Sequence, residues 1–143
     1  MKEIEQIRLE TDASMKRHEW QRYRRQAVHS LDSAERDLAG GDFDWACFKA
    51  QQAAELAVKG YLRAGIEYVT GHSVLKLLTY FGEEPPEEVV RCSKELDKVY
   101  IPSRYPDAYD SGSPMDYYDE TAARTSIDCA RRILEWLDVK AAD

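Results

Sequence analysis

Long apolar runs, strand-like alternation, histidine and cysteine are all scarce or missing in this chain, and each shortage closes off a class of protein. No segment approaches the roughly 20 apolar residues that a membrane span needs. The N-terminus, Met1-Lys2-Glu3-Ile4-Glu5, also lacks the apolar stretch of a signal peptide. A cytoplasmic protein with no membrane partner is therefore expected. The three cysteines, Cys47, Cys92 and Cys129, are an odd number with no close pair in sequence, and they fall among apolar or helical neighbours. Buried, reduced thiols follow from that pattern. The three histidines lie far apart, so no metal site and no cofactor is expected. There is no internal repeat, no low-complexity segment and no convincing period-two run.

What is present is helical periodicity in a chain of 143 residues, 43% hydrophobic and 33% charged. That is enough for one core and too little for two. The net charge of −7 argues against wholesale coating of nucleic acid, because phosphate neutralisation needs a positive surface. The charge is uneven. Lys16, Arg17, Arg22, Arg24 and Arg25 crowd the approach to the first helix, whereas Asp107, Asp110, Asp116, Asp119 and Glu120 crowd a loop and helix start near the other end. These are either solvated faces or patches that meet a partner, or each other, in a dimer.

The spacing predicts about five helices in an all-α, up-and-down antiparallel bundle. Helix 1 is expected from about Glu19 to Ala39, with Trp20, Tyr23, Ala27, Leu31, Ala34 and Leu38 on one stripe and Gly40-Gly41 as its stop. Asp42 is placed to cap helix 2, whose wide apolar face runs from Phe43 through Ala46, Cys47, Ala50, Ala53, Ala54, Ala57, Val58, Tyr61 and Leu62. Trp45, Phe48 and Leu56 add apolar area elsewhere on its circumference, which makes helix 2 central. A loop through Gly65 and Tyr68 should lead to Ser73 as the cap of a short helix 3 holding Val74, Leu77, Leu78 and Phe81. Pro85-Pro86 then opens helix 4, with Val89, Leu96, Val99 and Tyr100 inward and Pro102 at its end. After a loop from Ile101 to Ser113, the cap, proline and acid of Ser113-Pro114-Met115-Asp116 should launch one last helix carrying Ala123, Ile127, Ala130, Leu134 and Leu137. Residues 1–17 read as a charged arm or helical extension, and residues 18–140 as a single domain.

Several polar groups stand out as candidate site residues. Arg104, beside Tyr105 and Pro106 on a proline-stiffened loop, can present its planar fork to a phosphate or carboxylate. Alternatively it holds the loop down through Asp107, Asp110 or a helix C-terminus. Gln51, Glu55 and Lys59 share one face of helix 2 by their four-residue spacing; they either line a cleft or form a solvated stripe or dimer-facing seam. An exposed Glu–Lys pair at this spacing contributes only about 0.2–0.5 kcal/mol. His72 either satisfies a loop carbonyl or helix terminus, or reaches toward Arg104. His18 and His29 read as surface or interface residues. Of nine tyrosines, Tyr100, Tyr105, Tyr109, Tyr117 and Tyr118 gather around the loop, where rings fill a half-buried interface or stack on a nucleobase.

The stretch Phe43 to Ala64, FDWACFKAQQAAELAVKGYLRA, followed by Gly71-His72-Ser73 and then by Ser103-Arg104-Tyr105-Pro106-Asp107, resembles the HEPN domain, a small helical module associated with nucleotides and RNA. The resemblance covers about Trp20 to Leu137. It implies a HEPN-like bundle and a homodimer. In ribonuclease members of that family, an arginine and a histidine four to six residues later act from two subunits on a scissile phosphate without metal. Here the position five residues after Arg104 is Tyr109. An unperturbed tyrosine titrates near roughly 10, so Tyr109 is a poor general base at neutral pH. No histidine follows His72. The resemblance therefore favours a nucleotide-binding or nucleotidyltransferase-partner module without catalysis of its own, of the toxin–antitoxin kind, since no nucleotidyltransferase motif is present either. Two other expectations stand beside it: a metal-independent endoribonuclease using Arg104 with Tyr109 or His72, and a dimeric scaffold. Arg104, Tyr105, Asp107, Gln51, Glu55 and Lys59 are the expected binding residues. In some such pairs a tyrosine near the motif is modified with AMP; Tyr109 replaces the histidine rather than following it.

Overall fold

The computed structural model describes residues 2–63, 69–101 and 103–143. Among these it contains six α-helices and two single turns of 3-10 helix, with no strand. The helices are α1 (Lys2–Gly40), α2 (Phe43–Arg63), α3 (Val74–Leu78), α4 (Glu87–Lys98), α5 (Pro114–Tyr117) and α6 (Glu120–Ala142). The architecture is the expected antiparallel bundle. The loop through Gly65 and Tyr68 lies outside the described residues, as does Pro102, but α4 ends before it, at Lys98 with Val99 as its C-cap, so Pro102 is not its stop.

The α1–α2 hairpin is the largest packing unit, and α6 packs against both of its helices, mainly α2, with α4 on α6. The α1 stripe packs as its spacing demands: Trp20, Ala27, Leu31 and Ala34 are buried, with Leu38 packed against them. Gly41 ends the helix in the left-handed region at φ 83°. The amides of Gly41 and Asp42 turn back to Leu38 O at 3.3 Å and Asp37 O at 2.8 Å, a Schellman closure that uses two otherwise orphaned carbonyls. Eight of the expected α2 face residues are buried, from Ala46 to Leu62, while Phe43 and Tyr61 are half-buried. Gly60 lets the hairpin close: a Cβ there would stand 2.2 Å from Tyr23 Cβ.

Several boundaries differ from expectation. Helix α1 begins at Lys2 rather than near Glu19, and its 39 residues absorb the charged arm as a continuous helix. No proline or glycine interrupts the chain before Gly40. Once the packed half supplies the nucleus, each upstream residue adds one hydrogen bond at little cost. The last helix is two. Asp116 accepts from the Ser113 amide at 3.0 Å and closes the capping box of α5, which lasts one turn. Tyr118 is then extended (φ −96°, ψ 130°), and Asp119 caps α6 by accepting from Ala122 N at 2.8 Å. The N-cap signals at Ser113 and Asp119 compete, and the break turns Tyr118 against the core. Pro86 is the N-cap of α4, so the helix starts at Glu87.

All three cysteines are free and buried. Burial pushes the Cys47 thiol up to about 11 against an opposing hydrogen bond from Ser126. Cys129 is pushed up to about 12, first by burial and then by a hydrogen bond with Cys92, which the α4–α6 packing places beside it. Among the described residues no cluster of His, Cys, Asp or Glu could hold a metal ion, and no helix is long and apolar enough to cross a membrane.

Candidate functional site

Three segments far apart in sequence converge on one face of α2. The helix supplies Phe48, Gln51, Glu55 and Lys59 at three- and four-residue spacing, the approach to α3 supplies His72 and Ser73, and the turn after α4 supplies Tyr100, Ser103 and Arg104.

The approach to α3 is fixed from both sides. Gln51 Nε2 donates to the His72 carbonyl at 2.8 Å. Asp97 of α4 accepts from Ser73 Oγ and Val74 N, each at 2.7 Å. Ser73 meanwhile caps α3 as expected, its Oγ accepting from Lys76 N at 3.1 Å. His72 is thereby held with its Nδ1 3.0 Å from Glu55 Oε1 and its ring stacked on Tyr100, centroids 4.9 Å apart. Toward a carboxylate oxygen, Nδ1 is the donor. The imidazole side chain is 59% exposed.

Gln51, Glu55 and Lys59 do not form a solvated stripe. Gln51 is 0% and Glu55 5% exposed. The Glu55 carboxylate is matched by Lys59 Nζ at 3.2 Å on Oε2 and by His72 on Oε1, with Gln51 Nε2 at 3.5 Å from Oε1. A buried carboxylate persists only when paired and hydrogen-bonded in this way.

Arg104 does not pair with Asp107 or Asp110. Its Nε donates to the Tyr100 carbonyl at 3.2 Å, so it does hold down the turn at the end of α4. Its guanidinium carbon lies over three rings, 4.3 Å from the centroid of Phe48, 4.7 Å from Tyr100 and 4.9 Å from Tyr105. Rings hold a guanidinium by its faces and leave the N–H edge to accept an anion. Ser103, fully buried, donates from Oγ to the Val99 carbonyl and locks the same turn.

The remaining candidates lie elsewhere. Asp107 sits exposed on the 3-10 turn Pro106–Ala108. Tyr109 stacks on Tyr117 at 4.1 Å and hydrogen-bonds Tyr118, whose hydroxyl is pushed above its usual range first by burial and then by that bond. Tyr109 thus belongs to a tyrosine cluster, not to the Arg104 shelf. The basic and acidic patches do not meet in one chain either: Arg24 forks onto Asp138 of α6 at 2.7 and 3.0 Å. His18 and His29 are exposed. Sequence reasoning missed Phe48 and Tyr100 as the shelf for Arg104, and Asp97 as the clamp on α3. The placement of Phe48 off the main apolar face was the signal for the first; nothing local marks Asp97.

The chain is similar to three solved structures. TT1696 from Thermus thermophilus is 43% identical with a TM-score of 0.80, the match covering 85% of this chain and 97% of that one. ST0689, an archaeal HEPN homologue, is 41% identical with a TM-score of 0.74 over 85% and 97%. A HEPN domain protein from Thermotoga maritima, tm0613, is 34% identical with a TM-score of 0.68 over 85% and 98%. No curated protein matches the chain. The model of the HEPN domain matches residues 20–140, the segment that carries the Glu55–His72 pair and the Arg104 shelf, and the chain belongs to the HEPN domain family.

Proposed function

We propose that this protein is a nucleotide-binding HEPN module that acts as a homodimer beside a separately encoded nucleotidyltransferase, without catalysis of its own. The observation that carries the reading is Arg104, whose guanidinium carbon lies 4.3–4.9 Å from the ring centroids of Phe48, Tyr100 and Tyr105 and which makes no ion pair with a described residue, so that its terminal N–H groups can donate to a phosphate. Tyr105, 50% exposed, offers a ring on which a base can stack. Tyr109, in place of the family histidine, is engaged with Tyr117 and stands apart from the rings around Arg104. Exposed Trp45, at 47%, lies edge-on to Phe48 at 6.3 Å and extends the apolar surface beside Arg104, which suits a second copy.

The test is equilibrium binding of a fluorescent adenine nucleotide to the full chain. Saturable binding, weakened at least tenfold by Arg104→Ala, is expected. No binding by the wild type, or binding indifferent to Arg104→Ala, would remove the proposal.

One observation favours a second reading. Glu55 orients His72 beside the same Tyr100 ring that carries Arg104, so an imidazole base and a phosphate clamp stand together. A metal-independent endoribonuclease would use them in the roles of general base and phosphate ligand. RNA cleavage in EDTA, abolished by both His72→Ala and Arg104→Ala, would establish that reading over the first. A stable dimer with neither nucleotide affinity nor cleavage would leave a scaffold.

A further inference from the structure

A cavity of about 410 Å³ lies away from Arg104, between the middle of α1, the C-terminal end of α2, the 3-10 turn Thr79–Phe81 and the end of α6. Its aromatic wall is continuous. Trp20 meets Tyr61 edge-on at 5.9 Å and Tyr61 stacks on Phe81 at 5.2 Å and 5°, while Trp136, outside the lining, backs Phe81 at 5.2 Å. Its rim is basic. Lys16, Arg17 and Lys140 line it with one acid, Glu83, and that acid is already paired with Lys140. Among the described residues Lys16 and Arg17 make no ion pair. The C-terminal ends of α2 and α6 oppose this rim with about half a negative charge each. Lys140, in the last turn of α6, offsets one of them and Arg63, in the last turn of α2, the other.

We propose that this cavity binds a planar aromatic anion, a ring bearing a phosphate, sulfonate or carboxylate. The ring would lie along the Trp20–Tyr61–Phe81 wall, and the anionic group would sit between Lys16, Arg17 and Lys140. The volume falls in the range of small-molecule sites, about 300–1,000 Å³, and the mix of an apolar wall with a few charged groups is the usual composition of such sites. The site is separate from the family's shared segment in one respect: the HEPN match begins at residue 20, so Lys16 and Arg17 come from the N-terminal extension of α1. Without that extension the wall would remain and most of the free positive charge would not.

The experiment titrates the full-length protein with 1-naphthyl phosphate, followed by tryptophan fluorescence and calorimetry, with 1-naphthol and inorganic phosphate as the separate halves. Saturable binding of one molecule per chain is expected, at least tenfold tighter than either half. Lys16 and Arg17 are exposed, so a Lys16→Ala/Arg17→Ala chain should keep its helical circular dichroism and bind at least fivefold more weakly. Lys140→Met should weaken binding in the same direction. Absence of saturable binding would overturn the proposal. So would 1-naphthol binding as tightly as the phosphate, since the basic rim would then play no part. Loss of binding in Arg104→Ala with retention in the double variant would also overturn it, by placing the ligand beside Arg104.

Discussion

His72 and Arg104 share one aromatic ring: the imidazole stacks on Tyr100 with centroids 4.9 Å apart, and the guanidinium carbon of Arg104 lies 4.7 Å from the same centroid. The ring thus fixes the distance between a potential proton acceptor and a phosphate-binding cation. Glu55 fixes the orientation of the first, and the Tyr100 carbonyl that of the second.

Arg104→Lys should behave nearly as badly as Arg104→Ala in nucleotide binding. A lysine keeps the charge but neither stacks as a plane on Phe48 and Tyr105 nor donates to the Tyr100 carbonyl while keeping an anion-binding edge. A loss of about tenfold, or about 1.4 kcal/mol, is expected for Arg104→Lys in the same fluorescence assay. An unchanged affinity would show that only charge is read.

Glu55→Ala should destabilise the fold by about 3–5 kcal/mol, the usual effect of removing one partner from a buried charge pair. Lys59 and His72 lose their shared acceptor. Urea denaturation measures this, and a loss below about 1 kcal/mol, the level of exposed pairs, would mean that the network is solvated in solution.

Gly60→Ala separates propensity from packing. Alanine is better in a helix interior than glycine by about 1 kcal/mol, but the new Cβ would lie 2.2 Å from Tyr23 Cβ, with Tyr23 Cα at 3.6 Å. Neither Cβ can rotate away, so α1 and α2 must separate, and overpacking of this kind costs about 1–3 kcal/mol or more. A lower melting temperature is expected. Tyr23→Gly, which removes the opposing Cβ, should relieve the clash, so the two substitutions together should cost less than the sum of their separate effects.

Stability should fall above pH 9. Cys47 has its folded pKa raised from 9.0 to about 11, and Cys129 from 9.0 to about 12. The unfolded chain therefore releases these protons first, and the stabilisation present below pH 9 is lost as pH rises through the folded values. Each thiol contributes a slope approaching about 1.4 kcal/mol per pH unit in that window. Tyr118, also shifted upward, acts in the same direction at higher pH. Melting temperatures of wild type and Cys47→Ala between pH 8 and 11 measure it, and the variant should show the shallower decline. Equal slopes would rule out Cys47 as a contributor.

Helices, core and two of the helix-end signals were legible because they are local. A 3.6-residue period writes the buried stripe of α1 and the wide face of α2 directly into residue order, and Gly41 and Ser73 act within a few residues of themselves. The joint between α5 and α6 was less legible, since Ser113 and Asp119 are both competent caps and only the burial of Tyr118 chooses to use both. The start of α1 was a matter of length: no residue before Trp20 packs strongly, so no stripe announces a helix that the packed half simply extends.

The sequence by itself determined a helical HEPN bundle and named Arg104, His72, Glu55, Gln51 and Lys59 as groups of interest, because residue type and spacing carry that much. Tertiary structure alone decided that Glu55 is buried against His72, that Arg104 rests on Phe48 and Tyr100, that Tyr109 turns instead to Tyr117, and that Cys92 meets Cys129. Each of these is a contact between segments whose separation along the chain says nothing of their distance in space. Apart from the Cys92–Cys129 contact, which lies between α4 and α6, they exist because α2, packed on more than one side, serves as the common wall against which the α3 approach, the turn after α4 and the Tyr118 joint all close.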